Sequence, residues 1–209
     1  MDYKTTKIIN LLKEVIPNPV CELDFTNSYE LICAVLLSAQ TTDKRVNIVT
    51  KELFKKYPDV YTLKAADIEE VKEIIKSIGL TKSKAKNLIA LANEVVNKYE
   101  GKIIPDFDIL CSLPGVGRKT ASVVLAVGFK IPAFPVDTHV ERIAKRLKFA
   151  DESDSVLKVE EKLKAKISKK HWIDAHHLML LFGRYHCKAI SPSCQNCKLK
   201  KYCINANEN

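Results

Sequence analysis

Apolar residues recur at spacings of three and four along this chain, in runs that open on Ser, Thr or Asp and close on Gly or Pro. That period stacks them on one face of a helix, and the flanking residues supply its start and stop chemistry. The pattern predicts helices over 5–16, 28–39, 42–57, 67–78, 82–99, 106–112, 118–129, 138–148, 155–168 and 171–185, with no strand pair to compete. The expected fold is all-α. Asp67 with Glu70, and Thr138 with Glu141, read as capping boxes, the second leaving Asp137 one residue outside it; Gly79 and Gly101 fall where left-handed C-caps belong. With 209 residues, 46% of them apolar, the chain can bury a substantial core as one domain or two. Its longest apolar runs, Leu31 to Ala39 and Ala121 to Val127, are shorter than the ~20 residues a bilayer requires, so no membrane partner is expected. Lys13 and Glu14 stand where a signal peptide would need its cleavage region, and the expected location is intracellular.

Lys and Arg total 34 against 25 for Asp and Glu, a net charge of +9 that favours a polyanionic partner. Stretches such as KVEEKLKAKISKK alternate in sign and read as solvated helix faces. The best candidate joint between domains is FKIPAFPVD, Phe129 to Asp137, where Pro132 and Pro135 stop a helix and force an extended crossing. Before it, LPGVGRKTA, Leu113 to Ala121, reads as the turn of a helix–turn–helix hairpin, with Gly115 and Gly117 giving positive φ or close backbone approach. Amides at the start of the second helix make an anion site, and a nucleic-acid phosphate suits a basic protein. Arg118 and Lys119 stand at that positive end of the helix dipole, where a cation is disfavoured. With desolvation, the neutral amine of Lys119 becomes a nucleophile able to form a Schiff base; the bland reading is an exposed phosphate clamp.

Seven cysteines are an odd count for a disulfide framework. Cys21, Cys33 and Cys111 are scattered and read as small buried hydrophobes. Cys187, Cys194, Cys197 and Cys203 form C-x6-C-x2-C-x5-C, a quartet that argues for a metal centre, with zinc and a [4Fe-4S] cluster both compatible with four thiolates. His171, His176, His177 and His186 precede the quartet and read as a mixture of core and surface residues rather than a second metal site.

Together with LPGVGRKTA, the segments LLSAQTTD (36–43), GLTKSKAKNL (79–88), FPVDTHVERIAKRL (134–147) and the terminal cysteines resemble the endonuclease III family of DNA glycosylases, in the family's order and over nearly the whole length. The resemblance implies two helical domains, 22–132 with the helix-hairpin-helix and 1–21 plus 133–209 with an iron–sulfur loop, and a DNA-binding cleft between them. It implies a role in base excision repair: a bifunctional glycosylase and AP lyase that removes oxidised pyrimidines from double-stranded DNA, with AP sites as a second substrate. Lys119 would be the nucleophile at the deoxyribose C1′ and Asp137 its acidic partner, while Gln40 and Leu80 would fill the gap left by an extruded nucleotide. Gly115, Gly117, Arg118 and His139 would border the DNA. The four cysteines would hold one [4Fe-4S] cluster that pins the C-terminal segment. The family's basic loop between the first two cysteines is here KAISPS, so Lys200 and Lys201 of the later loop, with Lys198, are expected to supply that charge. A monomer, nucleoid-associated in a prokaryote, is the expected state. The competing readings are a noncatalytic helix-hairpin-helix DNA-binding protein with a structural four-cysteine metal site, and a monofunctional mismatch glycosylase.

Overall fold

The computed structural model describes residues 1–204; residues 205–209 of the expected C-terminal segment lie outside the described residues. Among the described residues the regular structure is helical: α1 (Tyr3–Val15), α2 (Ser28–Leu37), α3 (Asp43–Lys56), α4 (Val60–Lys64), α5 (Ile68–Ile74), α6 (Thr81–Tyr99), α7 (Phe107–Ser112), α8 (Arg118–Val123), α9 (Thr138–Arg146), α10 (Val156–Lys166) and α11 (Trp172–Tyr185), with 3-10 turns at Lys169–His171 and Lys200–Tyr202. The all-α expectation holds.

Side-chain caps start most of these helices, and several differ from the expected ones. Asp67 accepts from the amides of Glu69 and Glu70, but the Glu70 carboxylate goes to the Tyr57 hydroxyl (2.9 Å) and Lys56 (2.8 Å), leaving half a capping box. The reciprocal box is Asp59 with Thr62, and it opens α4, a helix of 5 residues too short to register as a periodic run. Gly101 adopts φ +80 as expected. Gly79 does not take the left-handed conformation; Leu80 does, at φ 59. Nor does Thr138 cap the helix that follows it, because Asp137 is the N-cap of α9 and Glu141 pairs with Lys145 at 2.7 Å.

The chain divides into two compact units, residues 22–131 and residues 1–21 with 132–209. In the first, α2 is buried along almost its whole length and packs against α3, α6 and α8, while α4 and α5 lie on α6 and α7 on α8. Leu31, Leu37, Leu53, Leu63, Ile75, Leu88, Leu91 and Leu110 are fully buried, each worth roughly 1.5–3 kcal/mol in transfer from water. The helix expected over 118–129 changes character: α8 passes into a π-helical turn at Val124–Gly128, and the amides of Phe129 and Ile131 both end on the Leu125 carbonyl. A Cβ on Gly128 would meet Leu31 Cδ2 at 2.8 Å, so this turn lies against α2 at a distance that only glycine allows.

The second unit is built from both ends of the chain. Its core joins Ile8 and Leu12 of α1 with Phe134, Val140, Ile143, Leu178, Met179 and Phe182. α9 runs along α11, which also carries α1, and α10 packs on α9. Leu199, 1% exposed, anchors the cysteine loop in this core. His176 and His177 are buried, and the His176 ring holds the Pro135 carbonyl at 2.8 Å, fixing the extended segment that leads to Asp137. Of the three scattered cysteines only Cys33 is buried; Cys21 and Cys111 are half-buried, a correction to their reading as core residues.

Candidate functional site

Between α7 and α8 the turn is anchored by buried Leu113 and Val116, whose amides bond the carbonyls of Leu110 (3.2 Å) and Leu113 (3.1 Å). Gly115 sits at φ +76, and a Cβ there would come within 2.8 Å of the Asn87 side chain on α6, so two independent constraints demand glycine. Gly117 differs from expectation. Its φ is −93, and a Cβ would have nothing within 4 Å. It needs neither positive φ nor room within the protein. As the N-cap of α8 it offers no side-chain cap, so the first-turn amides face outward. Arg118 lies over the Phe107 ring at 4.9 Å. Lys119 is exposed on the next position, so the protein by itself does not desolvate the amine.

In the same unit, Gln40 and Leu80 are both exposed and both left-handed, at φ 56 and 59. Such backbone is uncommon for any residue with a Cβ, and for leucine it is a conformation that the surroundings must impose. Leu80, 55% exposed, is the N-cap of α6 and projects no side-chain cap.

Asp137 is held in the other unit. Its Oδ1 accepts both cap hydrogen bonds, from the amides of His139 (3.0 Å) and Val140 (2.8 Å), and Oδ2 accepts none from the described residues. One oxygen therefore fixes the carboxylate and the other remains open. His139 is half-buried with its Nδ1 3.2 Å from Arg142 Nη2; the guanidinium can only donate, so Nδ1 accepts. Arg142 also donates to the carbonyls of Gly183 (2.7 Å) and Cys187 (3.2 Å), binding α9 to the end of α11 and to the start of the cysteine loop.

All four terminal cysteines are free thiols and line one small cavity with Ile143, Leu147, Phe182 and Leu199. Burial pushes the thiols of Cys187 and Cys197 up, and at Cys187 the hydrogen bond from Arg146 opposes it. Arg146, which the sequence reading passed over, donates to Cys187 Sγ at 3.1 Å and to the Lys188 carbonyl at 2.8 Å. Among the described residues no group of three His, Cys, Asp or Glu side chains closes around a single metal ion. The donor set nevertheless fits a multi-iron group: four thiols facing one pocket, no disulfide competing for them, and a cationic donor beside one sulfur. Of the three nearby lysines, Lys198 is already paired with Glu14 at 2.8 Å, Lys200 is half-buried and Lys201 is exposed over the Tyr202 ring.

A hairpin with an exposed lysine on its second helix, followed by an aspartate-capped helix and a four-cysteine loop, defines a class of helical DNA-repair protein. Residues 33–169 match the model of the HhH-GPD superfamily base excision DNA repair proteins. The chain is 48% identical over 195 residues to endonuclease III of Bacillus subtilis (strain 168), covering 93% of this chain and 89% of the relative. It superposes on a trapped endonuclease III–DNA covalent intermediate with a TM-score of 0.94 and 46% identity, covering 100% of this chain and 99% of the other. A non-covalent endonuclease III–DNA complex gives 0.95 and 46%, with 100% and 98% covered. The chain belongs to the endonuclease III family. No helix among the described residues is long and apolar enough to cross a membrane.

Proposed function

We propose that this protein is a bifunctional DNA glycosylase and AP lyase of base excision repair, acting on oxidised pyrimidines and on AP sites in double-stranded DNA. The observation that carries the proposal is Lys119 exposed in the first turn of α8, directly after a glycine turn with outward-facing amides. It is joined by the likeness to an endonuclease III trapped covalently on DNA. The Gly115–Gly117 turn and Arg118 would hold the backbone phosphates. Lys119 Nζ then attacks C1′ of the deoxyribose, the glycosidic C–N bond breaks, and the base departs with the bonding pair and takes up a proton. The attached nitrogen gives up one proton and keeps one, the C1′–O4′ bond breaks with its electron pair going to O4′, which takes up a proton, and the resulting iminium makes a proton on C2′ acidic. Its removal expels the 3′ phosphate by β-elimination, and water releases the lysine. The open oxygen of Asp137 would assist the lysine and stabilise the cationic sugar. Gln40 and Leu80 would occupy the gap in the stack, and His139 would lie beside the path of the strand.

The two compact units are proposed as its domains. Cys187, Cys194, Cys197 and Cys203 would hold one [4Fe-4S] cluster, which would cross-link residues 187–203; equimolar iron and acid-labile sulfide in purified protein, without stoichiometric zinc, is the expected analysis. The reaction is tested by borohydride trapping on a duplex carrying one thymine glycol. Wild type should give a covalent protein–DNA adduct, and Lys119→Gln should give none while still binding DNA. A folded, DNA-binding wild type that yields released base but no adduct would assign monofunctional chemistry, and one that yields neither would assign a binding module.

A further inference from the structure

Lys84 is a cationic side chain that the reaction above does not use, and it is 3% exposed. It lies one turn into α6, where its amide donates to the Leu80 carbonyl at 3.0 Å. Its Nζ donates to the Ala39 carbonyl at 2.7 Å and to Thr41 Oγ1 at 3.1 Å. Those are the residues on either side of Gln40. Lys84 thus grips both flanks of Gln40 through its side chain and bonds the Leu80 carbonyl through its amide; Gln40 and Leu80 are two of the four exposed, left-handed residues of this unit, with Glu100 and Lys130. No carboxylate among the described residues meets the ammonium, and burial pushes its pKa down. An ammonium taken from water and given only neutral oxygens is a costly way to join a loop to a helix, and an apolar side chain of the same length would fill the volume without that cost. What the apolar side chain cannot do is fix both flanks of Gln40 at hydrogen-bonding distance.

We propose that Lys84 is a positioning residue that locks Gln40 and Leu80 into one rigid insert, so that both enter the duplex together when the damaged nucleotide leaves the stack. The inference rests on the glycosylase reading. A preformed insert needs no ordering of a loop at the moment of extrusion, which is where a loosened one would lose rate. Removing a base from an intact stack depends on the insert. Processing an existing AP site, which has no base to extrude, depends on it less.

The test compares Lys84→Met with wild type in single turnover on two duplexes, one carrying thymine glycol and one a preformed AP site, with 2-aminopurine opposite the lesion to report entry of the insert. Melting of each protein is followed in parallel. Loss of the two bonds made by a charged donor should slow base removal and the 2-aminopurine signal by about tenfold or more, and AP-site cleavage by less than about threefold. Equal slowing on both duplexes would reduce Lys84 to a structural role and overturn the proposal, as would base removal at the wild-type rate. Thr41→Val, which deletes the 3.1 Å bond from Lys84 and the 3.3 Å bond of Thr41 Oγ1 to the Ala39 carbonyl but keeps the Lys84–Ala39 bond, decides the matter should the methionine variant fail to fold. It should slow base removal by about twofold to fivefold and spare AP-site cleavage; no difference between the duplexes overturns the proposal. Wild type inactive on both duplexes would instead sink the glycosylase reading itself.

Discussion

Asp137 has two duties that substitution can separate. Its Oδ1 caps α9, a task that asparagine performs as well, while catalysis as proposed needs the negative charge. Asp137→Asn should therefore keep the thermal transition of wild type and lose roughly 100-fold or more in single-turnover base removal. Asp137→Ala should lose the same activity and, in addition, about 1 kcal/mol of stability by denaturant titration. The two hairpin glycines separate in a similar way. Gly115→Ala places a methyl at positive φ against Asn87 and should cost about 1–2 kcal/mol. Gly117→Ala meets open space at an ordinary φ, so it should cost less than about 1 kcal/mol while weakening DNA binding about tenfold, because the methyl stands where a phosphate backbone would approach. Equal effects of the two substitutions on stability and on affinity would contradict this division.

Among the elements, the contact of α9 with α11 bears most directly on Asp137. A Cβ on Gly183 would lie 3.1 Å from both His139 Cβ and Ile143 Cγ1 and 3.3 Å from Arg142 Nη2, so α9 would have to retreat by a few tenths of an ångström. Gly183→Ala should destabilise by about 1–3 kcal/mol and slow the reaction through the displaced cap at Asp137, read by melting and by single-turnover rate on folded protein. The period of the apolar residues was enough to foresee the long helices, because each must bury a continuous face, and α6 and α11 lie close to their expected bounds. It could not foresee α4, where 5 residues span little more than one turn. Nor did residue type settle which polar group caps a helix: Asp137 and Thr138 are both good N-caps, and the start of α9 is fixed by the His176 grip on Pro135 and by the packing of Val140. The sequence pointed to the glycine turn and the cysteine quartet because chemistry restricts residue choice there, though of the two turn glycines only Gly115 takes positive φ. It did not point to Lys84. In TKSKAKNL it is one of three lysines, and only the tertiary fold buries it while leaving Lys82 and Lys86 exposed.

At the scale of the whole chain, the +9 charge has to be assigned to places before it becomes an argument about DNA. Not every basic residue carries a share of the excess: Lys145, Lys158, Lys162 and Lys164 each pair with a carboxylate, three of them along α10. Surface pairs of this kind contribute little stability, but they cancel the field that a distant phosphate would feel. The cysteine loop is different. Lys198 is neutralised by Glu14, whereas Lys201 stands over Tyr202 with no carboxylate beside it among the described residues. Replacing Lys200 and Lys201 together by alanine should flatten the slope of log K against log salt by roughly one to two counterions, since each phosphate contact contributes about 0.9. Lys198→Ala, which removes a cation already paired with Glu14, should alter the slope by less than about half a counterion. Titrations of an undamaged duplex at several salt concentrations measure both. A double variant with the wild-type slope would place the DNA away from this loop, and the excess charge would then have to act through the hairpin unit, where Arg118 and Lys119 stand beside the outward-facing amides of α8.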